Sequence, residues 1–163
     1  MLLTMIGEAN AITKSSTELD CLTTNAYFEA NNQSLAGQIA TVLVVLNRIE
    51  HDSFPDNACE VILQGPTRES WKTKVQPSLS ESERIYYPIR HRCQFSWYCD
   101  GVKDTIRNET VYNKIRENIK EFLDSDKFDF LEGATYYHAN YVSPDWADEK
   151  EMVAVIGDHI FYR

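Results

Sequence analysis

Glu29 is the carboxylate whose surroundings in the sequence are least suited to a charge. It follows Leu22 by two helical turns, so it falls at the edge of an apolar stripe rather than on the opposite polar face. A carboxyl there, beside Tyr27 and near the negative end of its own helix, has two reasons to hold its proton: loss of water and the helix dipole. A proton-loaded acid at neutral pH is what cleavage of a glycosidic bond asks of its general acid. The plainer alternative is a helix-edge Glu paired at the surface.

Two mixed stretches, Gln94-Phe95-Ser96-Trp97-Tyr98 and Tyr136-Tyr137-His138-Ala139-Asn140-Tyr141, have the composition of a sugar groove, where ring faces stack and amides or hydroxyls bond hydroxyl groups. Gln94, Ser96, Tyr137 and His138 are the candidate substrate contacts. Such clusters also serve as strand core, and a histidine among aromatics is often a satisfied structural one. A different chemistry is raised by Cys93 or Cys99 ahead of His138, the order of a thiol peptidase, though nothing local marks either cysteine as activated. No GxSxG, P-loop, HExxH or GxGxxG occurs, which removes the main sequence support for serine hydrolase, nucleotide-dependent and zincin chemistry.

Cys21, Cys59, Cys93 and Cys99 form no CxxC pair, so no metal site is expected, and no cofactor is expected either. Two disulfides and four buried free thiols are both open at this point.

The elements that must position these residues read as helices first and strands later. Ser15-Ser16-Thr17-Glu18 has the form of a capping box, with Ser15 capping a helix that runs to about Ala30. Asn31-Asn32 supplies residues tolerant of left-handed backbone for a stop. Ser34 then caps a second helix through Leu35, Ile39, Val42, Leu43, Leu46 and Ile49, which Val44 and Val45 make apolar almost all round. Phe54-Pro55-Asp56 is a loop before a short helix ended by Gly65-Pro66. Residues 66 to 84 read as a long polar surface loop, and Ile85 to Tyr98 as extended chain ending at the turn Asp100-Gly101. A third strong helix carries Val111, Ile115, Ile119, Phe122 and Leu123 on one face. Further on, Thr135, Tyr137, Ala139 and Tyr141 would share one strand face, and Tyr136, His138 and Asn140 the other. Val153 to Tyr162 has a hairpin pattern with Gly157-Asp158 as a Gly-first turn. Without βαβ alternation the class is α+β.

Composition bounds the partners. At 163 residues the chain fits one domain. Its 25 acids against 16 bases give a net charge of -9, which argues against nucleic acid or anionic lipid as the main partner. The balance is uneven: residues 61 to 123 carry 11 bases against 8 acids, while both flanking stretches are strongly acidic. No apolar run approaches the roughly 20 residues of a membrane-spanning helix. Met1 to Ile6 is apolar but lacks a basic stretch before it and is too short for a secretory signal. The expectation is a monomer, made in the cytoplasm or exported by another route.

Several short blocks in a fixed order resemble the cell wall hydrolase family of the spore cortex-lytic enzyme catalytic domain. They are Ala26-Tyr27-Phe28-Glu29-Ala30, Ala36-Gly37-Gln38-Ile39-Ala40, Val44-Val45-Leu46-Asn47-Arg48, Phe54-Pro55, Cys59, Cys93-Gln94-Phe95-Ser96-Trp97, Asp100-Gly101, Gly133 to Ala139, Pro144-Asp145-Trp146-Ala147 and Ile156 to Tyr162. The resemblance spans about residues 19 to 163, which it implies are the catalytic domain, with residues 1–18 as an N-terminal extension. It implies a lysozyme-like fold and a lytic transglycosylase acting on the glycan strands of peptidoglycan, cleaving between N-acetylmuramic acid and N-acetylglucosamine. The family's Gly-Glu-Ala-Arg-Gly-Glu segment matches Phe28 to Gln33, which puts its first, catalytic glutamate on Glu29 and replaces its second with Gln33. A hydrolytic muramidase, using Asp100 as a second carboxylate, and a Cys/His endopeptidase are the rival enzymes, and a noncatalytic wall-binding module is the rival of another class. The layout is similar to phage lysins released by a partner membrane protein, with a bacterial remodelling enzyme as the alternative origin.

Overall fold

The computed structural model of the chain describes residues 12–163. The apolar segment Met1 to Ile6 and most of the expected N-terminal extension therefore lie outside the described residues. Two compact units are formed, one from the chain up to Ile62 together with Thr105–Arg163, the other from Leu63–Asp104.

The larger unit is built on helices α1 (Glu18–Ala30), α2 (Leu35–Ile49), α3 (Ala58–Ile62) and α5 (Glu109–Asp124). Thr17, not Ser15, caps α1: its side chain accepts from the Asp20 amide, while the Ser15 hydroxyl is engaged with that of Thr13 in a preceding turn. The helix ends at Asn31 in ordinary right-handed backbone, so the expected left-handed stop is not used. Ser34 caps α2 by accepting from the Gly37 amide, as its position predicts. Helix α2 is buried along most of its length, from Gly37 through Val45, and α1, α3 and α5 pack against it. Leu22, Val42, Val44, Val61, Ile115 and Ile119 meet there, all sealed from solvent, each large side chain contributing roughly 1.5–3 kcal/mol by its burial. A disulfide between Cys21 and Cys59 fastens α1 to α3.

Strands β3 (Tyr136–Ala139), β4 (Met152–Ile156) and β5 (His159–Tyr162) make an antiparallel sheet in the order β3-β5-β4. The β4–β5 turn has left-handed backbone at Gly157 alone, as a Gly-first hairpin turn requires. Helices first, short antiparallel strands later, is the α+β class read from the sequence.

The smaller unit departs from the reading of residues 66 to 84 as loop and Ile85 to Tyr98 as extended chain. Its β1 (Thr67–Glu69) and β2 (Tyr86–Pro88) pair antiparallel, with helix α4 (Trp71–Lys74) between them and short 3-10 turns at Glu81–Glu83 and Ser96–Cys99. Polar residues mislead here because a two-stranded ribbon is largely solvated, so no apolar alternation is demanded of it. The extended reading fails past Pro88 because Cys93 and Cys99 are joined by a disulfide, with their Cα atoms 6.1 Å apart. Six extended residues would span about 20 Å.

Candidate active site

Glu29 lies in the last turn of α1, where the Leu22–Ala26 stripe turns it toward the sheet. Its carboxylate Oε2 accepts a hydrogen bond from the Tyr137 hydroxyl at 2.6 Å. Tyr137 reaches it from β3, two residues after a pair of backbone carbonyls held by the end of α2. Asn47 Nδ2 donates to the Ala134 carbonyl at 3.0 Å, and Arg48 Nε to the Thr135 carbonyl at 2.8 Å. The C-terminal end of α2 therefore sets the height of β3 against α1, and with it the place of Tyr137.

Register decides which face does this. Tyr137 pairs with Phe161, and Ala139 with His159, so Tyr137, Phe161 and His159 share one face of the sheet. The Tyr137 ring lies 5.4 Å from that of Phe161 and meets His159 nearly edge-on at 5.1 Å. His138 is on the opposite face. Its Nε2 bonds the Tyr162 hydroxyl at 2.9 Å, its Nδ1 lies 2.8 Å from its neighbour's carbonyl, and it stacks on Tyr162 beside Trp146.

The electrostatics of the pair oppose one another. Loss of water pushes the Glu29 carboxyl above its ordinary range, while the Tyr137 hydrogen bond and the positive field of Arg48 pull the other way, the net direction being upward. Tyr137 is raised well above its ordinary value, first by burial and then by Glu29, so its hydroxyl keeps its proton and remains a donor. Burial lowers Arg48, and the neighbouring Tyr137, Tyr136 and Glu29 act against that. His159 is pushed down by burial, against Asp158, which favours a neutral imidazole at neutral pH behind the Tyr137 ring.

Gln94 and Ser96 belong to the smaller unit. There Gln94 and Ser96 are exposed, alternating with buried Phe95 and Trp97, and the Gln94 amide donates to the Gln64 carbonyl. Asp100 is in the same unit, its carboxylate accepting from the Val102 amide. Cys93 and Cys99 are bonded to each other, so neither offers the free thiolate that a Cys/His peptidase needs. Among the described residues no cluster of His, Cys, Asp or Glu could hold a metal ion.

Gln33 has both ends of its amide in use. Its Nε2 donates to Asp158 Oδ2 at 2.9 Å and its Oε1 accepts from the Asp158 backbone N–H at 3.1 Å. A carboxylate could not make the first of these bonds. The amide closes so tightly on the hairpin turn that a Cβ at Gly157 would collide with its oxygen.

Arg48 and His159 were not singled out by sequence reasoning as parts of this site. The available signals were a base at the end of an otherwise apolar helix, and a histidine two residues before Phe161 on the same strand face.

Among curated proteins no sequence matches the chain. Two solved structures share its fold. The catalytic domain of the germination-specific lytic transglycosylase SleB from Bacillus anthracis aligns with a TM-score of 0.53 and 18% identity, over 93% of this chain and 100% of its own. The catalytic domain of the Bacillus cereus SleB protein aligns with a TM-score of 0.56 and 24% identity, over 96% of this chain and 98% of its own. Finally, the sequence profile described as Cell Wall Hydrolase matches residues 32–162, most of the chain and beginning just past Glu29. The chain belongs to the cell wall hydrolase family.

Proposed function

We propose that the protein cleaves the glycosidic bond between N-acetylmuramic acid and N-acetylglucosamine in peptidoglycan, as a lytic transglycosylase with Glu29 as its single acid and base. The observation that carries this is the 2.6 Å bond between Tyr137 and Glu29. A partly buried carboxyl loaded with its proton by loss of water is met by a hydroxyl that favours its charged form. The first influence supplies an acid at neutral pH and the second eases the departure of the proton.

In the proposed cycle Glu29 gives its proton to the glycosidic oxygen as the bond to the muramoyl C1 breaks and an oxocarbenium-like state develops. Tyr137 stays bonded to Oε2 and stabilises the new carboxylate. The carboxylate then takes the proton of the muramoyl 6-hydroxyl while that oxygen bonds C1. A 1,6-anhydro ring closes, no water is consumed, and Glu29 ends protonated as it began. One carboxylate suffices, in keeping with Gln33 where the family has a second glutamate. The two disulfides suit a protein that works at the wall, outside the reducing cytoplasm, and no helix among the described residues is long and apolar enough to cross a membrane.

Mass spectrometry of products released from purified sacculi tests this. The unsubstituted chain should release anhydromuramoyl fragments, and Glu29→Gln should lose about 10²–10⁴-fold in rate with its circular dichroism unchanged. Near-full activity in that variant would remove Glu29 from the mechanism. Reducing muramic ends would instead mean a hydrolytic muramidase, and free stem peptides a peptidase.

A further inference from the structure

The smaller unit carries charge of the opposite sign to the chain as a whole. Between Leu63 and Asp104 there are seven Lys and Arg against five Asp and Glu, in a chain of net charge -9. Several of the unit's acids are held by local partners. Glu69 accepts from Arg84 at 2.6 Å. Glu81 accepts from the Tyr86 hydroxyl at 2.7 Å and also faces Arg84. Glu83 accepts from both the amide and the hydroxyl of Ser80. These bonds hold the acids of the ribbon and its connection to their own neighbours without cancelling the charge of Glu81 and Glu83, whereas Arg68, Lys72 and Lys74 make no ion pair among the described residues, Lys74 acting on Glu69 only through its field.

Beside these bases are large aromatic rings open to solvent. Trp71 is 71% exposed and Tyr87 58% exposed. Tyr87 stands directly opposite Arg68 in the β1–β2 register, so ring and guanidinium share one face of the ribbon. Trp71 opens α4, immediately followed by Lys72 and then Lys74, and Val75 after them is also exposed. Leaving a Trp and a Tyr in water forgoes the burial that usually justifies them, and exposed aromatic surface of this kind marks interaction sites. Aromatic rings next to cations that lack an ion partner fit a polymer of sugar rings, with flat C–H faces for stacking and carboxylates at intervals for the bases; single-stranded nucleic acid, which the same chemistry can hold, is disfavoured by the net charge of -9.

We propose that β1, β2 and α4 form a tethering surface for peptidoglycan, in which Trp71 and Tyr87 stack on sugar faces and Arg68, Lys72 and Lys74 take the carboxylates of the stem peptides. The choice of polymer rests on the function proposed above; the surface itself rests on exposure and charge. Arg68 is suited to hold a carboxylate by two parallel bonds, while the lysines act as point charges. Because the bases face solvent, their share of the binding weakens with salt.

Co-sedimentation of the Glu29→Gln chain with sacculi stripped of teichoic acid by hydrofluoric acid tests the surface without consuming the polymer. In that background Trp71→Ala/Tyr87→Ala and Arg68→Glu/Lys72→Glu/Lys74→Glu should each weaken binding by about tenfold or more, the second also flattening the salt dependence. The same charge change on the larger unit, Lys114→Glu/Lys120→Glu/Lys127→Glu, should leave binding within about twofold. Thermal melts show which variants are folded. Folded patch variants that bind like their parent would overturn the tether, as would binding confined to sacculi that still carry teichoic acid. Product release by the unsubstituted chain is followed alongside. Release with patch-independent binding removes the tether alone, whereas patch-dependent binding without release keeps the tether and removes the glycosidase reading.

Discussion

Tyr137 and Glu29, 108 positions apart in the chain, share a hydrogen bond of 2.6 Å, with the tyrosine as donor. Around this bond the helical half of the larger unit meets its sheet. It also gives Tyr137 a defined effect on the acid: it favours the charged carboxylate, against the desolvation that favours the neutral one.

Removing that bond therefore raises the Glu29 carboxyl further. Tyr137→Phe is expected to move the alkaline limb of the rate–pH profile to higher pH, because Glu29 keeps its proton longer. The maximal rate should fall by about 10- to 100-fold, since the carboxylate formed on proton transfer loses a hydrogen bond worth about 1.5–3 kcal/mol when made to a charged group. A pH profile of glycan release measures both, and an alkaline limb moved downward would contradict the assignment.

The same desolvation has a cost in stability. A carboxyl whose folded pKa lies above its unfolded one contributes no penalty below the unfolded value. As pH rises from the unfolded value toward the folded one, the unfolded chain has shed a proton that the native state retains, so stability falls, and the loss is complete once the native carboxyl has ionised too. Glu29→Gln, which removes this titration, is expected to melt higher than the parent at neutral pH and to show less advantage near pH 4. Thermal melts at the two pH values read the difference directly.

Gln33→Glu sets a carboxylate against that of Asp158 and forfeits the bond from Nε2. We expect a loss of about 1 kcal/mol at neutral pH, shrinking as added salt screens the two carboxylates. Gln33→Ala, which removes the amide without adding a charge, should lose a comparable amount with little salt dependence. Chemical denaturation by urea at low and high salt separates the two.

The Cys21–Cys59 bond closes 38 residues of chain between α1 and α3, and on the chain-entropy account such a loop contributes about 4 kcal/mol. Cys21→Ala/Cys59→Ala should lower the melting temperature markedly while leaving Glu29 in place. All four cysteines are paired, so the native protein should take up no iodoacetamide before reduction. Rapid labelling of Cys93 together with loss of activity would revive the peptidase reading.

Much of this architecture is legible in the sequence where one residue or one periodicity suffices. The α2 cap at Ser34, the face of α5 carrying Ile115 and Ile119, and the Gly157-Asp158 hairpin turn all follow from local rules, because each is decided by contacts within a few residues. The α1 cap shows the limit of such rules. Ser15, Ser16 and Thr17 are all competent, and a turn that engages Ser15 with Thr13 leaves Thr17 to cap. The ribbon β1–β2 escaped notice for a related reason: three-residue strands with solvated side chains carry no hydrophobic alternation, and their pairing is made by backbone bonds to which the side chains are nearly indifferent.

For the site, the sequence by itself determined that Glu29 stands at the edge of an apolar helix face, and that Tyr137 and His138 point to opposite sides of one strand. Both are consequences of helical and strand periods that hold wherever the elements are placed. The tertiary structure alone decided which side faces the acid. That choice depends on the register of β3 with β5 and on Asn47 and Arg48 gripping the carbonyls of Ala134 and Thr135. Such long-range pairing follows from how whole surfaces fit together and leaves no periodic trace in the chain. Tyr137 is brought to Glu29, and His138 is turned to Tyr162 and Trp146, by interactions between residues far apart in sequence.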